Sequence, residues 1–273
     1  MYFMGGSWDE TPLADYMEQD LPDAMKDTTI SGMKMKIGVA VSQDGISWGR
    51  VEGDDHSGAC MVPYNKTDPT TFCAEMPSDM PEELYCAWPD VAVDTNAANK
   101  AESFVMYYST MTKEDKQKSI AYAISEDGFR FFKRGLCLQP DATGFDAGGC
   151  ARCTVVRDAT YNEDTQEWED DEEGWTMYYE GVSPEDKKHR ILTATSKDRM
   201  TWTKTGLALD VGQDEDAWDV NGVGSPHIIR MDDGNVRMYY TGQGKDGSTA
   251  IGVAKLEAAS AEWAREQATF SFA

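Results

Sequence analysis

One short motif recurs down this chain and limits what it can fold into. Met106-Tyr107-Tyr108, Met177-Tyr178-Tyr179 and Met238-Tyr239-Tyr240 are three copies of Met-Tyr-Tyr, and Met1-Tyr2-Phe3 is a worn fourth. An alternating stretch that ends near a turn follows three of them: Ile37–Ser42 before Asp44-Gly45, Ile120–Ser125 before Asp127-Gly128, and Ile191–Ser196 before Asp198-Arg199. An aromatic residue (Trp48, Phe131 or Trp202) then opens the next strand. Alternation at period two is the mark of a half-buried strand. Asp-Gly between two such stretches predicts a type I′ hairpin turn, which needs φ > 0 at both central residues. A supersecondary unit of strands, repeated along the chain, predicts a β-propeller.

A further strand aligns without a gap in two units. Phe145-Asp146-Ala147-Gly148-Gly149 and its continuation to Arg157 match Trp218-Asp219-Val220-Asn221-Gly222 and its continuation to Arg230. Trp88-Pro89-Asp90-Val91 is a shorter relative. Glycines suit inner strands crowded round an axis, where backbones approach closely. The expected fold is an all-β five-bladed propeller in one domain over 1–273. Four units are recognisable, at about 1–50, 86–134, 145–204 and 218–265, and one blade is absent or incomplete. The first unit lacks its inner strand, so upstream residues are expected to be missing from this form of the chain. The last unit closes weakly, with Ile251-Gly252-Val253-Ala254 and Trp263 one residue out of the earlier register.

Composition narrows the partners. The net charge is −24, from 25 basic and 49 acidic residues, and 40% of residues are hydrophobic. Nucleic acid and anionic membranes call for cationic patches, so neither is an expected partner. No apolar run approaches the length of a membrane span. Residues 163–173 are predominantly acidic and read as a solvated loop, with a cation or partner site as the minority reading. Residues 13–26 have room for a short helix. The six cysteines, Cys60, Cys73, Cys86, Cys137, Cys150 and Cys153, read as buried thiols, with a disulfide among the first three as the alternative. Cys150 and Cys153 lack a second pair or a His at zinc spacing, and residues three apart on a strand face opposite sides, so no metal site and no cofactor is expected. The compartment is left open.

With these residues in view, the chain resembles the arabinanase/levansucrase/invertase superfamily, the five-bladed propellers of glycoside hydrolase families 43, 32, 68 and relatives. The likeness rests on Met-Tyr-Tyr-x-Gly strands, Ile-Gly-x-Ala-x-Ser-x-Asp-Gly-x-x-Trp hairpins and aromatic-Asp-x-x-Gly inner strands. It covers roughly residues 37–265. The resemblance implies glycoside cleavage or transfer by carboxylates around an axial pocket, one protonating the leaving oxygen and another activating water or attacking the sugar. It makes Asp90, Asp146 and Asp219 candidate pocket carboxylates. Glu180, in Tyr-Tyr-Glu-Gly, is a candidate general acid, although it aligns with Ser109 and Thr241 on a second strand. Trp88 and Trp218 are candidate sugar-stacking residues, and Arg152 and His227 are candidate contacts. Each has a structural reading beside it: a turn-holding Asp, an ion-paired Arg, a hydrogen-bonded core His, an inter-blade Trp. His56 and His189 fall in polar segments and receive no role. The expected partner is an oligo- or polysaccharide. The rival function is a non-catalytic propeller that serves as a platform for protein partners.

Overall fold

The computed structural model describes residues 1–17, 22–67, 77–257 and 262–266. The chain is all-β and its sheets are antiparallel meanders, as in propeller-like folds. The strands in chain order are β1 (Tyr2–Gly6), β2 (Thr11–Pro12), β3 (Thr29–Ile30), β4 (Met35–Val41), β5 (Gly49–Val51), β6 (Glu83–Val93), β7 (Phe104–Thr112), β8 (Lys118–Ser125) and β9 (Phe132–Leu138). They continue with β10 (Cys150–Asn162), β11 (Glu167–Val182), β12 (His189–Ser196), β13 (Thr203–Leu209), β14 (Gly222–Arg230), β15 (Val236–Gln243), β16 (Thr249–Glu257) and β17 (Glu262–Arg265).

Two compact units divide the chain: Met1–Pro140 with Gly149–Ala151, and Asp141–Gly148 with Arg152–Ala273. The first unit holds a three-stranded sheet, β1-β4-β5, a four-stranded sheet, β6-β7-β8-β9, and the small β2-β3 pair. In the second, β11 and β12 pair along Trp175–Val182, with β10 and β13 outside them. The β14-β15-β16-β17 meander joins this sheet through one parallel bridge, His189 to Gly222.

The repeated motif explains the cores. On each Met-Tyr-Tyr strand, the Met and the second Tyr share a face. Met106, Tyr108, Met177, Tyr179, Met238 and Tyr240 are all buried. In the first unit, Met106, Tyr108, Ala121 and Ala123 pack with Ile37 of β4 and with Met61, which bridges to Ile37, and Tyr2 closes the cluster against Phe131. In the second, Met238, Tyr240 and Ala254 pack with Ile191, Leu209 and Tyr178 in the same relation.

Three local expectations are corrected. The turns after β4, β8 and β12 are not type I′, since only the last residue of each Asp-Gly or Asp-Arg pair has positive φ: Gly45 (+72°), Gly128 (+75°) and Arg199 (+67°). The loops close on side chains instead. Ser42 Oγ donates to Asp44 Oδ1, which also accepts the N–H groups of Ile46 and Ser47, and Ser125/Asp127 and Ser196/Asp198 repeat the pattern. Asn, Asp and Ser side chains satisfy turn amides in just this way.

Residues 163–173 are not a loop throughout. From Glu167 they belong to β11, in a hairpin with β10 that extends beyond the rest of the sheet. The acids among 163–171 are exposed, but Trp168 anchors the arm: its Nε1 donates to Met231 O and it packs on Tyr161, whose hydroxyl donates to Asp232 O. Residues 13–26 form two short 3-10 turns, Leu13–Tyr16 and Asp23–Met25, with residues 18–21 outside the described set. Cys60, Cys86, Cys137, Cys150 and Cys153 are free thiols, and Cys73 lies outside the described residues. Among the described residues, no helix is long and apolar enough to cross a membrane.

Candidate functional site

The inner strands share a distortion. Backbone φ is positive at Trp88 (+48°), Arg152 (+46°) and Ser225 (+50°), and the ladder slips beside the first and third of these, between Ala87 and Asp90 and between Gly224 and His227. Positive φ is uncommon outside glycine, and strain of this kind collects at functional sites. The shared bulge sets the alignment: Trp88-Pro89-Asp90, Arg152-Cys153-Thr154 and Ser225-Pro226-His227 are equivalent. Asp90 therefore corresponds to Thr154 and His227, and not to Asp146 and Asp219. Asp90 is partly buried on β6, and His227 is exposed on β14 opposite Tyr239.

Asp146 and Asp219 lie ahead of β10 and β14, off the strands themselves. Both are buried in a repeated arrangement. Tyr179 Oη donates to Asp146 Oδ2 (2.9 Å), and Lys204 Nζ forms an ion pair with the same oxygen at 2.6 Å. Tyr240 Oη donates to Asp219 Oδ2 (3.0 Å), and Arg265 Nε donates to it at 2.8 Å. The β6–β9 sheet builds the same device from a residue that sequence reading missed. Glu83 accepts from Tyr108 Oη (2.7 Å) and from Lys133 Nζ (2.5 Å), and Lys133 lies over the Tyr108 ring. Burial, then Glu83, pushes the Tyr108 hydroxyl well up, so it stays a donor. Each carboxylate is held by the second Tyr of its repeat and by a cation from its sheet's last strand. The readable signal is the aromatic-x-basic triplet Phe131-Phe132-Lys133, Trp202-Thr203-Lys204 and Trp263-Ala264-Arg265.

Glu180 is the buried carboxylate outside this scheme. It follows the Tyr pair on β11, and its side chain is 3% exposed. Arg152 Nη1 donates to its two oxygens at 3.3 and 3.2 Å, and Ser225 N donates to Oε2 at 3.1 Å. His189 Nδ1 stands 2.6 Å from Oε1. An ionised carboxylate only accepts, so Nδ1 carries the proton. Burial pushes the Glu180 carboxyl up, but His189, Arg152 and the Ser225 N–H outweigh it, and the group is held below its ordinary value. Gly224 makes room, since a Cβ there would overlap Glu180 Oε2. The partners face outward: the Arg152 side chain is 36% exposed and that of His189 42%. Sequence reading gave His189 no role. Its place depends on the pairing of β11 with β12, which no spacing rule reveals.

The two tryptophans differ. Trp218 stacks on Tyr240 (5.6 Å, 26°) and covers Gly242 and Gly252, while its remaining surface is exposed. Trp88 stands edge-on to Tyr85 at 6.2 Å. No group of three or more metal-ligating side chains occurs among the described residues.

No family model matches the chain. Two uncharacterized proteins of Mycobacterium tuberculosis (strains CDC 1551 / Oshkosh and ATCC 25618 / H37Rv) are 30% identical over 138 residues, half of this chain. The match spans two fifths (40%) of the length of those relatives. Among solved structures, the chain is similar to a β-1,2-mannobiose phosphorylase from Listeria innocua (TM-score 0.58, 11% identity, 97% of this chain and 66% of that one). It is also similar to a thermostable family-43 glycoside hydrolase (TM-score 0.54, 18% identity, 88% and 67%). A family-117 glycoside hydrolase from Zobellia galactanivorans gives a TM-score of 0.51 at 13% identity, over 66% and 55%. The expected kinship with the propeller glycosidases therefore holds at the level of fold.

Proposed function

We propose that this chain is a single-domain, five-bladed carbohydrate-active propeller whose sugar contacts are made by Arg152 and His189, with Glu180 as the residue that positions them. One observation carries the reading. A buried, ionised carboxylate on a second strand is tied to two half-exposed polar side chains, where the inner strand is bent by a positive φ at Arg152. A guanidinium and an imidazole fixed by a common carboxylate present directed donors, which suit adjacent sugar hydroxyls. The glycoside hydrolases and the phosphorylase of the same fold favour a glycoside as ligand.

The chemistry of Glu180 argues against the general-acid role. An acid must keep its proton near the working pH, which requires a raised value, and Glu180 is held low. Asp146 and Asp219 each neutralise a cation within their own sheet, so they serve the fold. Asp90, the acid at the bulge position of β6, is the remaining candidate for a reacting carboxylate. His227, at the equivalent place on β14, and Trp88, at the bulge of β6, are candidate sugar contacts each in its own unit, and Trp218 is a blade-packing residue. The platform reading predicts no sugar binding. The deciding experiment titrates a panel of neutral and acidic oligosaccharides into the wild type and into Arg152→Ala, His189→Ala and Glu180→Gln. Saturable binding that these changes weaken at least tenfold, in folded proteins, supports the site. Absence of any sugar binding returns the chain to the platform class.

A further inference from the structure

A glycosidic bond breaks by more than one chemistry, and the second unit holds the groups for one of them. Hydrolysis calls on two carboxyl groups, one of which keeps its proton until it reacts. Among the described residues, the buried carboxylates of this unit are Asp146, Asp219 and Glu180. Each is tied to a cation: Lys204 at 2.6 Å, Arg265 at 2.8 Å and Arg152 at 3.2 Å. A cation beside a carboxylate favours the charged form, so these three are poor proton donors. The group built for proton transfer in this unit is an imidazole.

His189 is fixed for that task. Its backbone pairs with Val182 of β11 and bridges to Gly222 of β14. Its Nδ1–H is engaged by Glu180 Oε1 at 2.6 Å, which leaves Nε2 as the acceptor of a half-exposed ring. A carboxylate on one ring nitrogen sets the tautomer and stabilises the imidazolium that forms when the other nitrogen takes a proton. Arg152 Nη1 meets the same Oε1 at 3.3 Å, so a guanidinium and a base stand side by side on one oxygen. A guanidinium carries five N–H donors, enough for more than one carboxylate. Glu180 itself is steadied by the Ser225 N–H on its other oxygen.

We infer, on the footing of the sugar site proposed above, that the second unit cleaves 1,4-linked uronides by β-elimination, with Arg152 on the uronate carboxylate and His189 Nε2 as the base. The C5 hydrogen of a uronide lies next to its carboxylate, and removing it puts further charge on those oxygens. A guanidinium held against them stabilises that charge. Nε2 takes the C5 proton. The C5–H electron pair becomes the second bond between C4 and C5, and the C4–O4 bond breaks. O4 leaves with its electrons and takes a proton from water, and the imidazolium returns its proton to solvent. One proton has moved from C5 to O4 and no water is consumed. The products are a 4,5-unsaturated uronide and a sugar with a new reducing end. A neutral sugar offers no such acidic carbon, so the same two side chains select acidic substrates. Glu180 is a positioning residue on this route, and no residue of the first unit is needed.

The probes are 1,4-linked oligogalacturonate and oligomannuronate, each beside its carboxyl-reduced, neutral counterpart, added to the whole chain. Mass spectrometry reads the products, since an eliminated fragment is lighter than a hydrolysed one by one water. The expected result is at least tenfold tighter binding of one uronide than of its reduced counterpart, with unsaturated product from the uronide alone. Folded His189→Ala should lose at least about a hundredfold in kcat at saturating uronide, the scale of a general base, and imidazole added to the buffer should restore part of it. Four results each overturn the elimination while the sugar site stands: uronide bound but not cleaved, a saturated product, equal binding of the reduced counterpart, or a His189→Ala kcat that is unchanged or is lost beyond rescue by imidazole. Failure of both uronides to bind overturns it too, and if the neutral panel also fails to bind, the sugar site falls with it.

Discussion

Tyr179 Oη donates to Asp146 Oδ2 across 2.9 Å of fully buried space, and the bond is the model for two others in the chain. It ties the second strand of a sheet to the residue that launches the first, while Lys204 ties the same oxygen to the last. Tyr179→Phe leaves the packing volume and removes one hydrogen bond to a charged group, which costs about 1.5–3 kcal/mol. Glu83→Gln breaks the most buried ion pair of the three and leaves Lys133 charged without its counterion, at a cost of about 3–5 kcal/mol. Urea unfolding of both variants checks the order: Glu83→Gln should be the more damaging.

The same relationship separates fold from chemistry at the aspartates. Asp219→Asn should lower the unfolding midpoint and leave sugar binding by the folded fraction within twofold of wild type. A stable Asp219→Asn protein that has lost only sugar binding would give Asp219 back its place as a pocket residue.

Gly224 is required by its neighbour. A side chain there overlaps the Glu180 carboxylate, so Gly224→Ala drives that group from its seat between Arg152 and His189. Overpacking of this kind costs about 1–3 kcal/mol. The expected result is a folded protein with at least tenfold weaker sugar binding, read by calorimetry beside the circular dichroism spectrum.

Glu180 also predicts a pH dependence of stability. Its folded value is depressed, so the stability it contributes is fully present above the unfolded carboxyl value of about 4.3 and is lost as pH falls through the lower folded value. The stability gap between wild type and Glu180→Gln should not narrow from pH 7 to about 5, and should shrink below about 4. A gap that does not shrink below about pH 4 would mean that the carboxyl is already protonated in the native state.

The acidic hairpin divides into anchor and cover. Trp168→Ala removes the contacts with Tyr161 and Met231 O and should cost about 1–3 kcal/mol, whereas Glu169→Gln on the same arm should stay within about 0.5 kcal/mol. Thermal unfolding of the pair checks the split.

The sheets were legible because each Met-Tyr-Tyr copy meets the same packing demand, and burial of Met and the second Tyr enforces the same letters three times. The roles of single acids were less legible. Asp146 looks the same in sequence whether it faces a sugar or Lys204, and only the tertiary path of β13 brings that lysine to it. His189 was silent for the same reason: it meets Glu180 through strand pairing. The acidic arm was misread because its alternation is masked. Trp168 is the one half-buried residue among charged neighbours, so periodicity sees a solvated loop where the backbone pairs as a strand.

The most direct test of the account is calorimetric titration of the oligosaccharide panel into wild type and Glu180→Gln side by side. The account predicts at least one saturating sugar for the wild type and an affinity at least tenfold weaker for Glu180→Gln, with both proteins folded. Equal affinities in the two proteins, or no sugar bound by the wild type, would contradict it.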